Sequence, residues 1–173
     1  MAPPNQEPDN SGSDQERQGL HSSAESFRAC LPLAGRLIGI DPGSKTFGLA
    51  LSDLTRMIAS PLEVIRRTKF KTDAERLLHL ADEHAIAGIV VGLPSNLDGT
   101  EGPRAQSVRA FVKNLQHLTS LPILLWDERL STVAAERALL SADASRKRRD
   151  EVIDKVAATV ILQGAMDRMR HKG

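Results

Sequence analysis

From residue 36 onward, short apolar runs alternate with amphipathic stretches. Arg36-Leu-Ile-Gly-Ile-Asp41 is an apolar run that ends in an acid. The turn residues Pro42-Gly43-Ser44 follow, and then Phe47-Gly-Leu-Ala-Leu-Ser-Asp53, in which Phe47, Leu49 and Leu51 recur with period two. Period two sends alternate side chains to one face of a strand, so these two runs predict a β-hairpin. Leu62–Arg67, after Ser60-Pro61, predicts a third strand. Thr72 is placed to cap a helix running to about His84, with Leu77, Leu78, Leu80 and Ala81 as its apolar stripe. Ile86–Gly92 is continuously apolar, as expected of a strand buried on both faces. Pro103 opens a helix to about Leu118. Pro122–Trp126 predicts another buried strand, ending at Asp127-Glu128. Helices over about Thr132–Leu140 and Asp150–Met169, separated by a basic loop over Ser141–Arg149, complete the chain. The order predicts an α/β fold: a mixed five-stranded sheet, antiparallel strands first and then parallel, flanked by helices on both faces.

Residues 1–34 break the pattern. They are rich in Pro, Ser, Gln and Glu, and they hold five acids against two arginines. Such a segment buries too little apolar area to offset its ordering entropy, so a disordered extension is expected, with one folded domain over 35–173. Removing the extension from the formal charge of +1 leaves 21 basic against 17 acidic residues, or +4, on the domain. No apolar run approaches the ~20 residues of a membrane span. The extension lacks an apolar secretion segment and is too acidic for a transit peptide, so a cytoplasmic protein is expected. The single cysteine, Cys30, excludes an internal disulfide framework and a zinc–cysteine cluster.

The chemistry lies in the acids. Asp41 ends an apolar strand, where a carboxylate must be desolvated; that cost points to a partner such as a metal ion. Asp127 and Glu128 end another strand, and alternation sends them to opposite faces, so only one can join Asp41. On the last helix, Ile153, Val156, Ala157, Val160, Ile161 and Gly164 form an apolar face at 100° per residue, with Asp154 at its edge. Helix-dipole compensation accounts for Asp150 and Glu151 but not for an acid bordering that stripe. Carboxylates from two strand ends and a helix repel unless cations lie between them, and oxygen-only sites suit Mg²⁺ or Mn²⁺. Paired ions of this kind activate water for in-line attack on a phosphodiester. Arg146-Lys147-Arg148-Arg149, just before the helix carrying Asp154, supplies charge for a nucleic-acid backbone.

Two lookalikes fail. Gly39–Thr46 comes within one residue of a phosphate-binding loop, but such a loop must open a helix, whereas Phe47–Leu51 alternates like a strand. A sugar-kinase or actin-like ATPase needs two duplicated domains, and about 139 residues supply one.

Gly39-Ile-Asp-Pro-Gly-Ser-Lys-Thr-Phe-Gly-Leu-Ala-Leu-Ser-Asp53, Val90-Val-Gly-Leu-Pro94 with Asp98-Gly99, Asp127-Glu-Arg-Leu-Ser-Thr132, and Asp154-Lys-Val-Ala-Ala158 with Ile161-Leu-Gln163 occur in this order. Together they resemble the YqgF family, also called RuvX, relatives of the RuvC Holliday-junction resolvase. The resemblance covers about residues 36–169 and implies an RNase H-like fold. It also implies a Mg²⁺- or Mn²⁺-dependent nuclease that matures the 5′ end of pre-16S rRNA in ribosome biogenesis. Carried over by position, it makes Asp41, Glu128 and Asp154 the catalytic metal-binding acids and Asp127 a supporting ligand. Lys45 and Arg129 become phosphate contacts. Gly43, Gly48 and Gly92 are read as backbone requirements, a tight turn and close approaches. The family commonly has Arg after the motif lysine; here Thr46 stands instead.

The expected partner is structured nucleic acid, with RNA preferred, and no membrane. Few aromatics are present to stack bases, so recognition rests on backbone shape and charge. Two rivals stand beside the rRNA nuclease. One is a Holliday-junction resolvase acting on branched DNA as a homodimer. The other is a non-catalytic ribosome- or transcription-associated module that kept the fold.

Overall fold

The computed structural model describes residues 19–132 and 146–171, with backbone alone for 146–151. Six strands form one sheet: β1 (Leu20–His21), β2 (Arg36–Pro42), β3 (Thr46–Ser52), β4 (Ala59–Arg66), β5 (Ile86–Leu93) and β6 (Ile123–Asp127). Their order across the sheet is β1-β6-β5-β2-β3-β4. The hairpin β2–β3 and its neighbour β4 are antiparallel, while β2–β5, β5–β6 and β6–β1 are parallel. Helices α1 (Ala24–Cys30) and α4 (Arg146–Arg170) cover one face; α2 (Phe70–Glu83) and α3 (Pro103–Gln116) cover the other. None of the helices among the described residues is long and apolar enough to cross a membrane.

The α2/α3 face is lined by large side chains, among them Ile38, Ile40, Phe47, Leu49, Ile89 and Val91. The other face is built differently. Gly39 and Ala50 pair across the hairpin, and so do Asp41 and Gly48. Next to them, β5 presents Gly88, Val90 and Gly92. Small residues let α4 come down almost onto the sheet backbone: a Cβ on Gly39 would lie 2.7 Å from the Leu162 Cβ and 3.0 Å from the Ala158 carbonyl oxygen.

The structure departs from the sequence reading in four places. The sheet has six strands, not five, because the expected disordered extension is ordered from residue 19. β1 pairs with the edge of β6, and α1 packs Ala24 and Phe27 into the α4 face. Few apolar side chains suffice there because they are well used: Phe27 is fully buried, its ring on Gly88. Strand β4 begins at Ala59, not Leu62. Helix α2 begins at Phe70 rather than after Thr72; Phe70 packs edge-on against Phe111, and Asp73 accepts hydrogen bonds from the Thr68 backbone N–H and hydroxyl. Helix α4 begins at Arg146, and its buried residues are Ala157, Ala158, Ile161, Leu162, Ala165, Met166 and Met169. Its inward face is therefore rotated from the expected one, leaving Val156 and Val160 half-buried and bringing Asp154 into line with Ala158 and Leu162. The expected helix over Thr132–Leu140 lies, from residue 133, outside the described residues.

The β3–β4 turn is tied by Asp53, whose carboxylate accepts from the Met57 and Ile58 backbone N–H groups and from the Thr55 hydroxyl. The Ile58 N–H and then the Thr55 hydroxyl are the largest influences holding its pKa down, at about 2. A depressed carboxylate stabilises above its ordinary pKa of 3.8, and the contribution fades as pH falls through about 2. Asp53→Ala is expected to cost about 1 kcal/mol at pH 7, the turn being solvent-accessible, and to lower Tm by roughly 2–4 °C. Thermal melts at pH 7 and pH 2 test this: the parent and variant should converge at pH 2, and an equal gap at both would refute the carboxylate's role.

Candidate active site

Asp41 is the penultimate residue of β2, 2 % exposed, and flanked by β3 on one side and β5 on the other. Two-residue alternation puts it on the α4 face with Leu37 and Gly39. Its cross-strand partner Gly48 leaves room that α4 fills: a Cβ there would run into the Asp154 carbonyl and lie 3.0 Å from the Asp154 Cβ. On the other side of Asp41, Gly92 does the same for Glu128, whose Oε1 lies 3.0 Å from where a Gly92 Cβ would be. Asp41 thus has Asp154 over one neighbouring strand and Glu128 over the other, all on the face covered by α4. Two glycines make the space for the outer two.

The strand end also separates Asp127 from Glu128, as alternation requires. Asp127 caps the short 3₁₀ turn Glu128–Leu130 by accepting from the Arg129 backbone N–H at 2.9 Å, and it pairs with the Arg129 guanidinium at 2.5 Å. That side-chain hydrogen bond is the main reason the Asp127 carboxyl titrates below its usual range and Arg129 above its own. Asp154 accepts a hydrogen bond from the Thr46 hydroxyl. Among the described residues, no three His, Cys, Asp or Glu side chains are gathered into a ready-made metal site. The three carboxylates nonetheless lie on one face, with Asp41 buried, and all-oxygen ligands are the kind a hard divalent cation takes.

A family model described as RuvX: Holliday junction resolvase matches residues 35–168. The chain belongs to the RuvX family. Two relatives carrying the name Putative pre-16S rRNA nuclease bear this out. The one from Paracoccus denitrificans is 62 % identical over 87 % of this chain and 96 % of its own length. That from Ruegeria is 60 % identical over 88 % of this chain and 97 % of its own. Among solved structures, RuvC from T. thermophilus, in complex with a Holliday junction substrate, aligns at a TM-score of 0.51 with 14 % identity, covering 78 % of this chain and 96 % of that one. At that identity the likeness establishes the shared fold.

Within this RuvX domain, the remaining sequence-predicted residues fall around the acids unevenly. Lys45 is exposed in the β2–β3 turn, where Gly43 closes the reversal by donating to the Thr46 carbonyl at 2.9 Å. Arg129 is held by Asp127 and packs on the loop after β5, its Nη1 3.1 Å from where a Gly99 Cβ would be. The side chains of Arg146, Lys147, Arg148 and Arg149 lie outside the described residues; their backbone is the first turn of α4 rather than the expected loop. Contact between Thr46 and the acids is not among the sequence expectations. The period-two relation of Thr46 to Gly48 places it on the α4 face, a signal present in the sequence, but its partner lies 108 residues away. Thr46 also lines a shallow cavity of about 420 Å³ with Glu63, Lys155 and Arg66, the last directly across from it on β4.

Proposed function

We propose that this chain is a divalent-cation-dependent endonuclease that processes the 5′ side of pre-16S rRNA, with Asp41, Glu128 and Asp154 as its acid set. The observation that carries the reading is the placement of a buried strand-end carboxylate between two glycines, each overlaid by another acid. The names of relatives about 60 % identical over nearly their whole length support the substrate.

Bound Mg²⁺ or Mn²⁺ would supply the charge that lets three carboxylates share one site and that polarises water and phosphodiester. The protein's part is positioning. The sheet fixes Asp41, with β3 and β5 hydrogen-bonded along either edge of its strand. Helix α4 brings Asp154 over Gly48, and the Thr46 hydroxyl holds its carboxylate in one rotamer. The 3₁₀ turn turns Glu128 inward while Asp127, its backbone neighbour, orients Arg129. Asp127 in this arrangement is a positioning residue. Lys45, Arg129 and the basic run 146–149 supply charge for the phosphate backbone rather than reading bases.

The test is cleavage of an RNA spanning the 5′ leader and mature start of 16S rRNA by the full chain. Discrete cutting is expected with Mg²⁺ or Mn²⁺, and none in EDTA. Cutting that persists in EDTA would remove the metal from the mechanism. A second reading, resolution of branched DNA, is supported by the family description and the RuvC fold, and it would call for a homodimer. Paired, symmetric nicks in a four-way DNA junction, with the RNA left intact, would select it.

A further inference from the structure

At the same end of the sheet as Asp41, but around on the α3 side, a cleft of about 270 Å³ opens between the β2–β3 turn and the first turns of α3. Its wall begins at Pro42, one residue from Asp41, and includes Gly43, Ser44, Arg67, Arg104 and Ser107. Arg67 is held in place. Its guanidinium lies 4.6 Å from the centre of the Phe47 ring, and Nη1 donates to the Gly43 carbonyl at 2.8 Å. Its backbone N–H donates to the Lys45 carbonyl at 2.9 Å, so the arginine and the hairpin turn move as one piece. A guanidinium has five N–H bonds in a rigid fork, and only one of Arg67's goes to a described residue. Arg104, exposed on α3, lines the same cleft. Neither arginine makes an ion pair among the described residues, whereas nearby Arg109 and Arg129 are both matched with acids, Glu101 and Asp127. Two arginines and two hydroxyls lining one concavity, with no acid in its wall, form a site for a tetrahedral oxyanion.

We propose that the Arg67–Arg104 cleft binds a backbone phosphate of the nucleic-acid strand whose neighbouring linkage lies at Asp41. The stacked, tethered Arg67 reads the phosphate as a planar fork, and Arg104 adds charge from the opposite wall. The cleft and the acids share the β2 terminus, so a phosphate seated in the cleft fixes how the strand crosses the sheet end and which linkage reaches the carboxylates. The proposal rests on the nuclease reading and adds a substrate-positioning subsite to it.

The experiment measures binding of a fluorescein-labelled RNA hairpin with a single-stranded 5′ leader, by anisotropy, to the full chain with Ca²⁺ in place of Mg²⁺, across a salt series. Arg104→Glu is expected to weaken binding about 10-fold near 0.1 M salt. It should also lower the slope of log Kd against log salt by about one. At saturating enzyme the cut should spread to neighbouring linkages, because the cleft sets which linkage reaches the carboxylates. Arg67→Lys keeps the charge but loses the fork, and should weaken binding about threefold. Lys113→Glu makes the same charge change nine residues further along α3, ~13 Å away and half a turn round, and should have under a twofold effect. Parental affinity and slope in Arg104→Glu, or an equal loss in Lys113→Glu, overturns the cleft while leaving the nuclease intact. A loss of binding in Arg104→Glu alongside undiminished cleavage by Asp41→Asn keeps the cleft and overturns the acid site. No binding of the parent chain to RNA overturns both.

Discussion

Asp41→Asn is expected to lower the single-turnover rate of leader-RNA cleavage about 10²–10³-fold, with the fold retained. Asparagine has the shape of aspartate, so β2 keeps its pairing with β3 and β5 and the side chain keeps its place on the α4 face. What disappears is one unit of negative charge at a site 2 % exposed to solvent, where electrostatic contributions to a transition state are weakly screened. Because the shape and the strand pairing are kept, the Tm of the variant should stay close to that of the parent. Rate and melting temperature read together decide the case. A normal rate removes Asp41 from the chemistry, and a collapsed Tm makes it a structural acid instead.

How far such a site is legible depends on which interactions are local. The apolar run ending at Asp41, the turn at Pro42-Gly43, the period-two run from Phe47 and the buried runs at Ile86 and Pro122 are contiguous patterns, and the antiparallel-then-parallel sheet follows from them. Alternation also separated Asp127 from Glu128, and the structure turns them apart: Asp127 to Arg129, Glu128 over Gly92. Non-local packing was less visible. The inward face of α4 could not be read from hydropathy alone, because glycines and alanines set it; Val156 gives way to Ala158 where the sheet offers Gly39. The segment before residue 35 reads as too polar to fold, yet in residues 20–30 one ring, Phe27, seated on Gly88, anchors a short strand to a sheet edge that would otherwise be open. Thr46 and the Arg67–Arg104 cleft join residues from different elements, and no spacing rule brings them together.

Gly48→Ala is expected to be the most destabilising single-methyl change near the site, about 3 kcal/mol, lowering Tm by roughly 6–12 °C. The added Cβ would run into the backbone carbonyl of Asp154, and backbone cannot rotate out of the way as a side chain can. Relief requires α4 to lift, which would pull Ala158 and Leu162 off Gly39 as well. Gly92→Ala offers the contrast. Its Cβ would meet the far ends of two side chains, Ile161 Cδ1 at 2.5 Å and Glu128 Oε1 at 3.0 Å, so about 1 kcal/mol suffices to accommodate it. Displacing Glu128 should nevertheless cost cleavage about 10-fold or more, because a shift of the order of an ångström in a positioned carboxylate is enough for that. Gly102→Ala, whose Cβ would have nothing within 4 Å, serves as the control and should melt within about 2 °C of the parent. Thermal melts with cleavage assayed well below every Tm separate the two effects. If Gly48→Ala melts like Gly102→Ala, α4 does not rest rigidly on the sheet, and the close packing that brings Asp154 to the side of Asp41 is not what holds the site together.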